Sequence, residues 1–255
     1  MSQDSTKRFS TRVHNYLHYR PHYPRQVMKI LERECGLSPA WEVADIGSGT
    51  GFLTELFLRN GNRTFGIEPN APMREAAEAY LAGFTNFVSV DATAEETGLP
   101  DSSIDLVAAG QAFHWFDAEK CKVEFGRILK PGGWTTLIWN QRSEGGSPFM
   151  REYERIVAKY STDYKEVYHR RIDESVLHEF FSPSDFATNI CENTQQFDLQ
   201  ALIGRFLSSS YAPEPESPQY APSVQALTDL FERHQVSRLV AFAYDTEIYS
   251  GRLTS

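Results

Sequence analysis

A chain of 255 residues with 41% hydrophobic content can bury a substantial core, at a size where an α/β fold is commonly one unit, and its formal net charge of −9 argues against nucleic acid as a partner. Cys35, Cys121 and Cys191 are widely spaced and form no C-x-x-C pair, which speaks against a disulfide framework and against zinc and suggests a reducing compartment. With no signal-like N-terminus and no apolar run near the length of a membrane span, a cytoplasmic protein without membrane contact is expected.

Residues 1–12 are polar and expected to be loose. Positive charge gathers at this end: residues 1–40 carry seven Lys or Arg against three acids, whereas 41–110 carry three against eleven. That asymmetry fits a solvated basic arm or the approach of a substrate bearing a carboxylate. Residues 13–24 are rich in aromatic rings and histidine, and Pro21 and Pro24 keep them from continuing as a helix. His14, His18 and His22 recur at i, i+4, i+8, a spacing that can turn imidazoles to one metal. Pro21 breaks that helix, and no carboxylate or cysteine completes the set, so no metal is expected. Val27, Met28, Ile30 and Leu31 then mark a helix over 25–35, ending near Gly36 and Pro39.

An apolar run over 41–46 gives way to Gly47, Gly49 and Gly51 and then to the helical pattern Phe52, Leu53, Leu56, Phe57. The order is strand, tight turn, helix over 52–60, stopped by Asn60-Gly61. Such a turn lets the main chain approach a ligand closely, so a nucleotide-like molecule is expected there. The dinucleotide fingerprint G-x-G-x-x-G fails because position 52 is Phe. Asp45 would repel a phosphate but suits an ammonium or sulfonium group. The stretch from Val43 to Gly51 resembles the motif of class I S-adenosylmethionine-dependent methyltransferases, an acidic residue followed by G-x-G-x-G. The resemblance implies S-adenosyl-L-methionine as cofactor, with Asp45, Gly47, Ser48, Gly49 and Gly51 at its binding site. It also implies a Rossmann-like α/β fold, a doubly wound seven-stranded sheet that is mostly parallel with the last strand antiparallel. The Arg-Pro-x-Tyr-Pro string from Arg20 to Pro24 is similar to the N-terminal segment of a branch that includes trans-aconitate methyltransferases. In that branch the segment folds over the cofactor, which implies Arg20 at the methionine carboxylate and Tyr16 on the acceptor side.

A second strand over 63–67 ends in Glu68, where an acid can accept both ribose hydroxyls of an adenosine. Pro69 and Met73 can flank the adenine ring, or serve as the start of a helix and a core methionine. Asn70 caps a helix running to about Leu81, and a third strand over 86–90 ends at Asp91. By resemblance, Asp91 accepts from the adenine amino group and the Ala92 main-chain N–H donates to the ring; a turn or cap aspartate is the other reading. A fourth strand over 104–109 runs into Gly110, Gln111, Ala112, Phe113, His114, Trp115 and Phe116. There the resemblance places Gln111 with the cofactor and Trp115 with the acceptor. His114 can act as a general base or as a hydrogen-bonded histidine beneath aromatic rings, and a carboxylate acceptor needs no base. No Pro-Pro-Tyr, Pro-Pro-Phe or Pro-Cys string follows, so nucleic-acid amino-methylase and C5-pyrimidine chemistry are unsupported.

Asp117 starts a helix that Lys130-Pro131-Gly132-Gly133 ends, turning into a fifth strand over 134–139. Beyond Asn140 a loop over 141–148, helices over 149–160 and 173–181, a strand over 191–197, a helix over 199–208, a proline-rich loop over 212–222, a helix over 224–235 and a last strand over 239–249 are expected. Between them Tyr164, Tyr168, His169, Arg170 and Arg171 form a basic aromatic patch that can coat a helix or wall the acceptor pocket. The expected organisation is one methyltransferase domain: 1–36 a lid segment, 37–140 the cofactor core, and 141–255 the acceptor side. The function expected is methyl transfer to a small molecule, possible acceptors including a carboxylic acid. An NAD-dependent oxidoreductase would use Glu68 in the same way, and a non-catalytic S-adenosylmethionine-binding module would keep the same turn.

Overall fold

The computed structural model describes residues 19–143, 147–161, 174–209 and 211–253. Its elements begin with α1 (Gln26–Cys35), β1 (Glu42–Ile46), α2 (Phe52–Asn60), β2 (Arg63–Ile67), α3 (Ala71–Tyr80), β3 (Phe87–Val90) and β4 (Ile104–Gly110). A single 3-10 turn (Phe113–Trp115) leads to α4 (Ala118–Ile128) and β5 (Leu129–Arg142). The remainder is α5 (Pro148–Tyr160), α6 (Glu174–Phe181), β6 (Phe186–Phe197), α7 (Leu199–Leu207), α8 (Tyr220–His234) and β7 (Val240–Gly251). Side-chain caps fix several helix starts: Asn70, Asp117 and Asp198 each accept from the main-chain N–H three residues on.

The seven strands form one sheet in the order β3-β2-β1-β4-β5-β7-β6. β1 to β5 pair in parallel, while β7 is antiparallel to both β5 and β6. Order and direction match the expected sheet. Alternate residues of the central strands face opposite layers: Val43, Leu106, Ala108 and Ile138 pack with α1 and α2, and Ala44, Ile46, Val107 and Leu137 with α4 and α6. Both faces are apolar because helices cover both. Each fully buried ring such as Phe57 or Phe125 contributes roughly 1.5–3 kcal/mol. A third cluster, built from Tyr153, Phe206, Leu230 and Phe242 among others, joins α5, α7 and α8 to the end of the sheet where β7 starts. Since Arg142 pairs with Tyr244, that cluster stands at the same edge where β1, β2 and β4 finish.

Several boundaries differ from those read in the sequence. β5 extends from Leu129 through Arg142, so the expected turn at 130–133 is a bulge inside a strand: Leu129 pairs with Ile104, and Trp134 with Leu106. Its C-terminal part continues beyond Asn140 because β7 supplies a partner as far as Tyr244. β6 starts at Phe186, five positions ahead of the expected 191, its polar residues being tolerated at a sheet edge. α8 begins at Tyr220 and carries Pro222 in its first turn, where proline's missing N–H is harmless. His14, Tyr16, His18 and the patch at Tyr164, Tyr168, His169, Arg170 and Arg171 lie outside the described residues.

Candidate active site

The C-terminal ends of β1, β2 and β4 surround a cleft of about 190 Å³. Such an edge, where chain crossovers diverge, is where open α/β sheets take ligands. The glycine turn forms its floor. Gly47 and Ser48 donate their N–H groups to the Ile67 carbonyl at 2.9 and 3.1 Å, which ties the turn across to β2. Gly47 (φ 66°) and Gly51 (φ 90°) are packed shut: a Cβ at either would lie 2.7 Å from a carbon of Ala112 or Leu81. Gly49 (φ 55°) has nothing within 4 Å of that position and lines the cleft. Ser48 turns its hydroxyl over Gly66 on β2 and does not line the cleft.

Two carboxyl groups define the electrostatics. Asp45 does not itself line the cleft: it is 1% exposed and accepts from the Thr54 hydroxyl at 2.6 Å, while its other oxygen, Oδ1, has no hydrogen-bond partner. Burial, reinforced by repulsion from Glu68, pushes its pKa up to about 7 against the pull of the Thr54 hydrogen bonds. Glu68 accepts from the Gly49 N–H at 2.9 Å and the Asn70 N–H at 2.8 Å, so it clasps the turn and the start of α3 together. Burial holds its pKa above the ordinary range despite those two donors. Pro69 and Met73 line the cleft beside it, as does Asn70, which also caps α3.

The third expected acid is elsewhere. Asp91 receives both guanidinium nitrogens of Arg74 at 3.0 and 2.9 Å, and its side chain is 68% exposed. Neither it nor Ala92 lines the cleft; the chain reaches the wall two residues later, at Thr93, Ala94 and Glu95. Arg74 on α3 is the physical reason, since it holds the strand-end carboxylate outward. The run after β3 has no periodic pattern, so that offset carries no local signal.

On the opposite wall Gln111 adopts φ 58°, a conformation costly for a residue with a side chain. Its N–H donates to the Ile138 carbonyl and its side-chain amide to the Asn140 carbonyl, at 2.9 and 3.0 Å. Gln111 and Trp115 line the cleft, together with Ala112 and Phe116 from the same loop. His114 does not; its ring lies 4.8 Å from that of Trp115.

Arg20 also departs from expectation. Its guanidinium donates to the Ser208 carbonyl at 3.0 Å, at the C-terminal end of α7, and it does not line the cleft. Helix C-termini attract cations through their unpaired carbonyls. The neighbouring residues do reach the cleft elements: His22 stacks on Phe52 at 4.0 Å, and Tyr23 packs where a Cβ on Gly110 would sit.

The residues present fit S-adenosylmethionine. Asp45 keeps an unpartnered oxygen in a buried site, Gly49 leaves open the space a Cβ would fill, and Glu68 presents a fixed carboxylate. A family profile described as a methyltransferase domain matches residues 44–137, which spans all three strand ends. An uncharacterised methyltransferase of Mycobacterium tuberculosis is 34% identical over 212 residues, covering 82% of this chain and 79% of the relative. One from Schizosaccharomyces pombe is 25% identical over 250 residues, covering 95% and 96%. A candidate type II methyltransferase of known structure from Anaeromyxobacter dehalogenans shares the fold at a TM-score of 0.68 and 21% identity, over 92% of this chain and 98% of its own. Sheet order, acidic glycine turn and relatives agree: the chain belongs to the class I S-adenosylmethionine-dependent methyltransferases.

Proposed function

We propose that this methyltransferase methylates a small carboxylic acid held at the cleft. Glu68 takes the ribose hydroxyls of S-adenosylmethionine, and Gly49 lets the main chain approach the rest of the molecule. Asp45 is the buried counter-charge to its cationic end. Pro69 and Met73 flank the adenine ring, and Thr93 and Ala94 meet the ring edge in place of Asp91 and Ala92. Pro69, Met73, Thr93 and Ala94 all line the cleft.

Bound cofactor supplies an activated methyl group. The chain's work is to align an acceptor oxygen behind that carbon and keep water out, which can account for much of a rate enhancement. The observation that carries the carboxylate reading is that, among the described residues, the titratable side chains lining the cleft are Glu68 and Glu95, with no histidine or lysine. A carboxylate attacks without losing a proton, so it needs no base: the new O–CH3 bond forms as the S–CH3 bond breaks, giving an ester and S-adenosylhomocysteine. The resemblance of Arg20 to Pro24 to the trans-aconitate branch and the basic N-terminal segment support the same reading. The net charge of −9 supports a small molecule over nucleic acid. No helix among the described residues is long and apolar enough to cross a membrane; the sparse, widely spaced cysteines support a reducing compartment, the cytoplasm, as the location we propose.

Transfer of labelled methyl from S-adenosylmethionine to a panel of small acids, phenols and amines tests this. Base-labile label in the acids is expected; label confined to amines or phenols rejects the carboxylate reading.

A further inference from the structure

The run that follows β3 is laced along α4 by side chains. Glu95 Oε1 accepts from the Asp117 main-chain N–H at 3.0 Å. Thr97 donates its main-chain N–H and its hydroxyl to Glu124 at 2.8 and 2.5 Å, and Arg127 donates to the Leu99 carbonyl at 2.8 Å and pairs with Asp101. Thr97 and Glu124 are buried away from the cleft, whereas Glu95 lines it. The first of these ties is therefore the one a ligand meets.

That tie answers a need of the helix start. Asp117 caps α4 by accepting from the Lys120 N–H, which leaves its own N–H in want of an acceptor. A Glu or Gln three residues beyond the cap commonly reaches back to it. Lys120 stands at that position, so Glu95 supplies the acceptor from a different segment. A carboxylate at the N-terminal end of a helix is favoured by the dipole as well.

The same bond joins the two walls of the cleft. Thr93 and Ala94 precede Glu95 on one wall, and Ala112, Trp115 and Phe116 precede Asp117 on the other. Ala112 and Phe116 in turn crowd the glycine turn: a Cβ on Gly47 would lie 2.7 and 3.1 Å from their carbons. At the far end of the first wall Asp91 is held by Arg74, which also donates to the Glu68 carbonyl at 2.9 Å. Thr93 and Ala94 thus hang between two anchors, and Glu95 is the anchor tied to the opposite wall.

We propose that Glu95 is a positioning residue of this methyltransferase: by holding Asp117 it fixes the loop over 111–116 against the wall that carries the adenine, so that cofactor binding orders the start of α4. This rests on the adenine lying along Thr93 and Ala94 and is independent of which acceptor is methylated.

The test is calorimetry with S-adenosylhomocysteine, together with amide hydrogen exchange over 117–121 with and without that ligand, on the whole protein. None of residues 117–121 lines the cleft. In wild type, S-adenosylhomocysteine is expected to slow exchange there at least tenfold. Glu95→Ala should remove that protection and weaken S-adenosylhomocysteine about tenfold, the loss of one hydrogen bond to a charged group. Glu95→Gln, whose side-chain carbonyl still accepts from Asp117, should restore both to within about threefold. Thr97→Val, which cuts a tie away from the cleft, should lower the melting temperature and leave affinity and protection within about twofold. Should Glu95→Ala fail to fold, Glu95→Asp, one methylene short of the Asp117 N–H, takes its place. Undiminished protection of 117–121 in Glu95→Ala overturns the proposal. So does Glu95→Gln behaving like Glu95→Ala, which would mean that the charge meets the cofactor directly, or Thr97→Val weakening the ligand as much, which would reduce the tie to a structural one. A wild-type protein that binds no S-adenosylhomocysteine would remove the cofactor site itself and this role with it.

Discussion

Asp45 is where ligand binding and stability oppose one another. With a pKa of about 7 against 3.8 in an unfolded chain, the folded protein without ligand holds more protons than the unfolded one between those values, so Asp45 withdraws stability as pH rises through that window. Asp45→Asn, which keeps an acceptor for Thr54, should therefore raise stability at pH 8 by on the order of 1–3 kcal/mol and leave it nearly unchanged near pH 4, by denaturant titration at each pH. Cofactor affinity should move the other way. A cationic ligand prefers the charged carboxylate, so wild-type affinity should rise roughly tenfold between pH 6 and 8, a dependence lost in Asp45→Asn. Glu68→Ala should weaken cofactor binding about 100-fold, two hydrogen bonds to a charged acceptor, and should cost about 1–3 kcal/mol of stability by stranding the N–H groups of Gly49 and Asn70. Circular dichroism melts and calorimetry separate the two effects. The places of Asp45 near the end of β1 and of Glu68 just after β2 were legible in the sequence because each sits at a fixed step from an unmistakable strand. Asp91 was not, since its direction is set by Arg74 from another element.

Among the elements, the glycine turn shows why spacing alone understates a motif. Gly47, Gly49 and Gly51 all have positive φ, yet only Gly49 faces open space. Gly51→Ala should cost more than 2 kcal/mol, combining backbone strain with a collision on Leu81. Gly49→Ala should cost about 1 kcal/mol for strain and mainly weaken cofactor binding by filling the cleft. Urea denaturation and calorimetry on the two variants check that contrast. β5 and β6 were read too short for a related reason: pairing with β7 extends them, and no local pattern reports a partner distant in sequence. Likewise the strained Gln111 carries no local signature, because its conformation is fixed by the Ile138 and Asn140 carbonyls.

Across the whole molecule, the parallel half of the sheet supplies the cofactor side and the β5-β7-β6 half, with α5, α7 and α8, supplies a second core around buried arginines. The first half was readable because strand-helix steps with turn chemistry between recur along it, although no helix separates β3 from β4. The second was readable only as elements; that α7 brings Arg205 against Tyr244, and that Arg20 docks on the end of the same helix, depends on tertiary packing. The central claim is that the acidic glycine cleft binds S-adenosylmethionine. Its most direct test is isothermal titration with S-adenosylmethionine and S-adenosylhomocysteine, in parallel with NAD, on wild type and Glu68→Ala. One-to-one micromolar binding of both adenosyl ligands, lost in Glu68→Ala and absent for NAD, is the predicted result. No heat with either adenosyl ligand, or saturable binding of NAD, would contradict it.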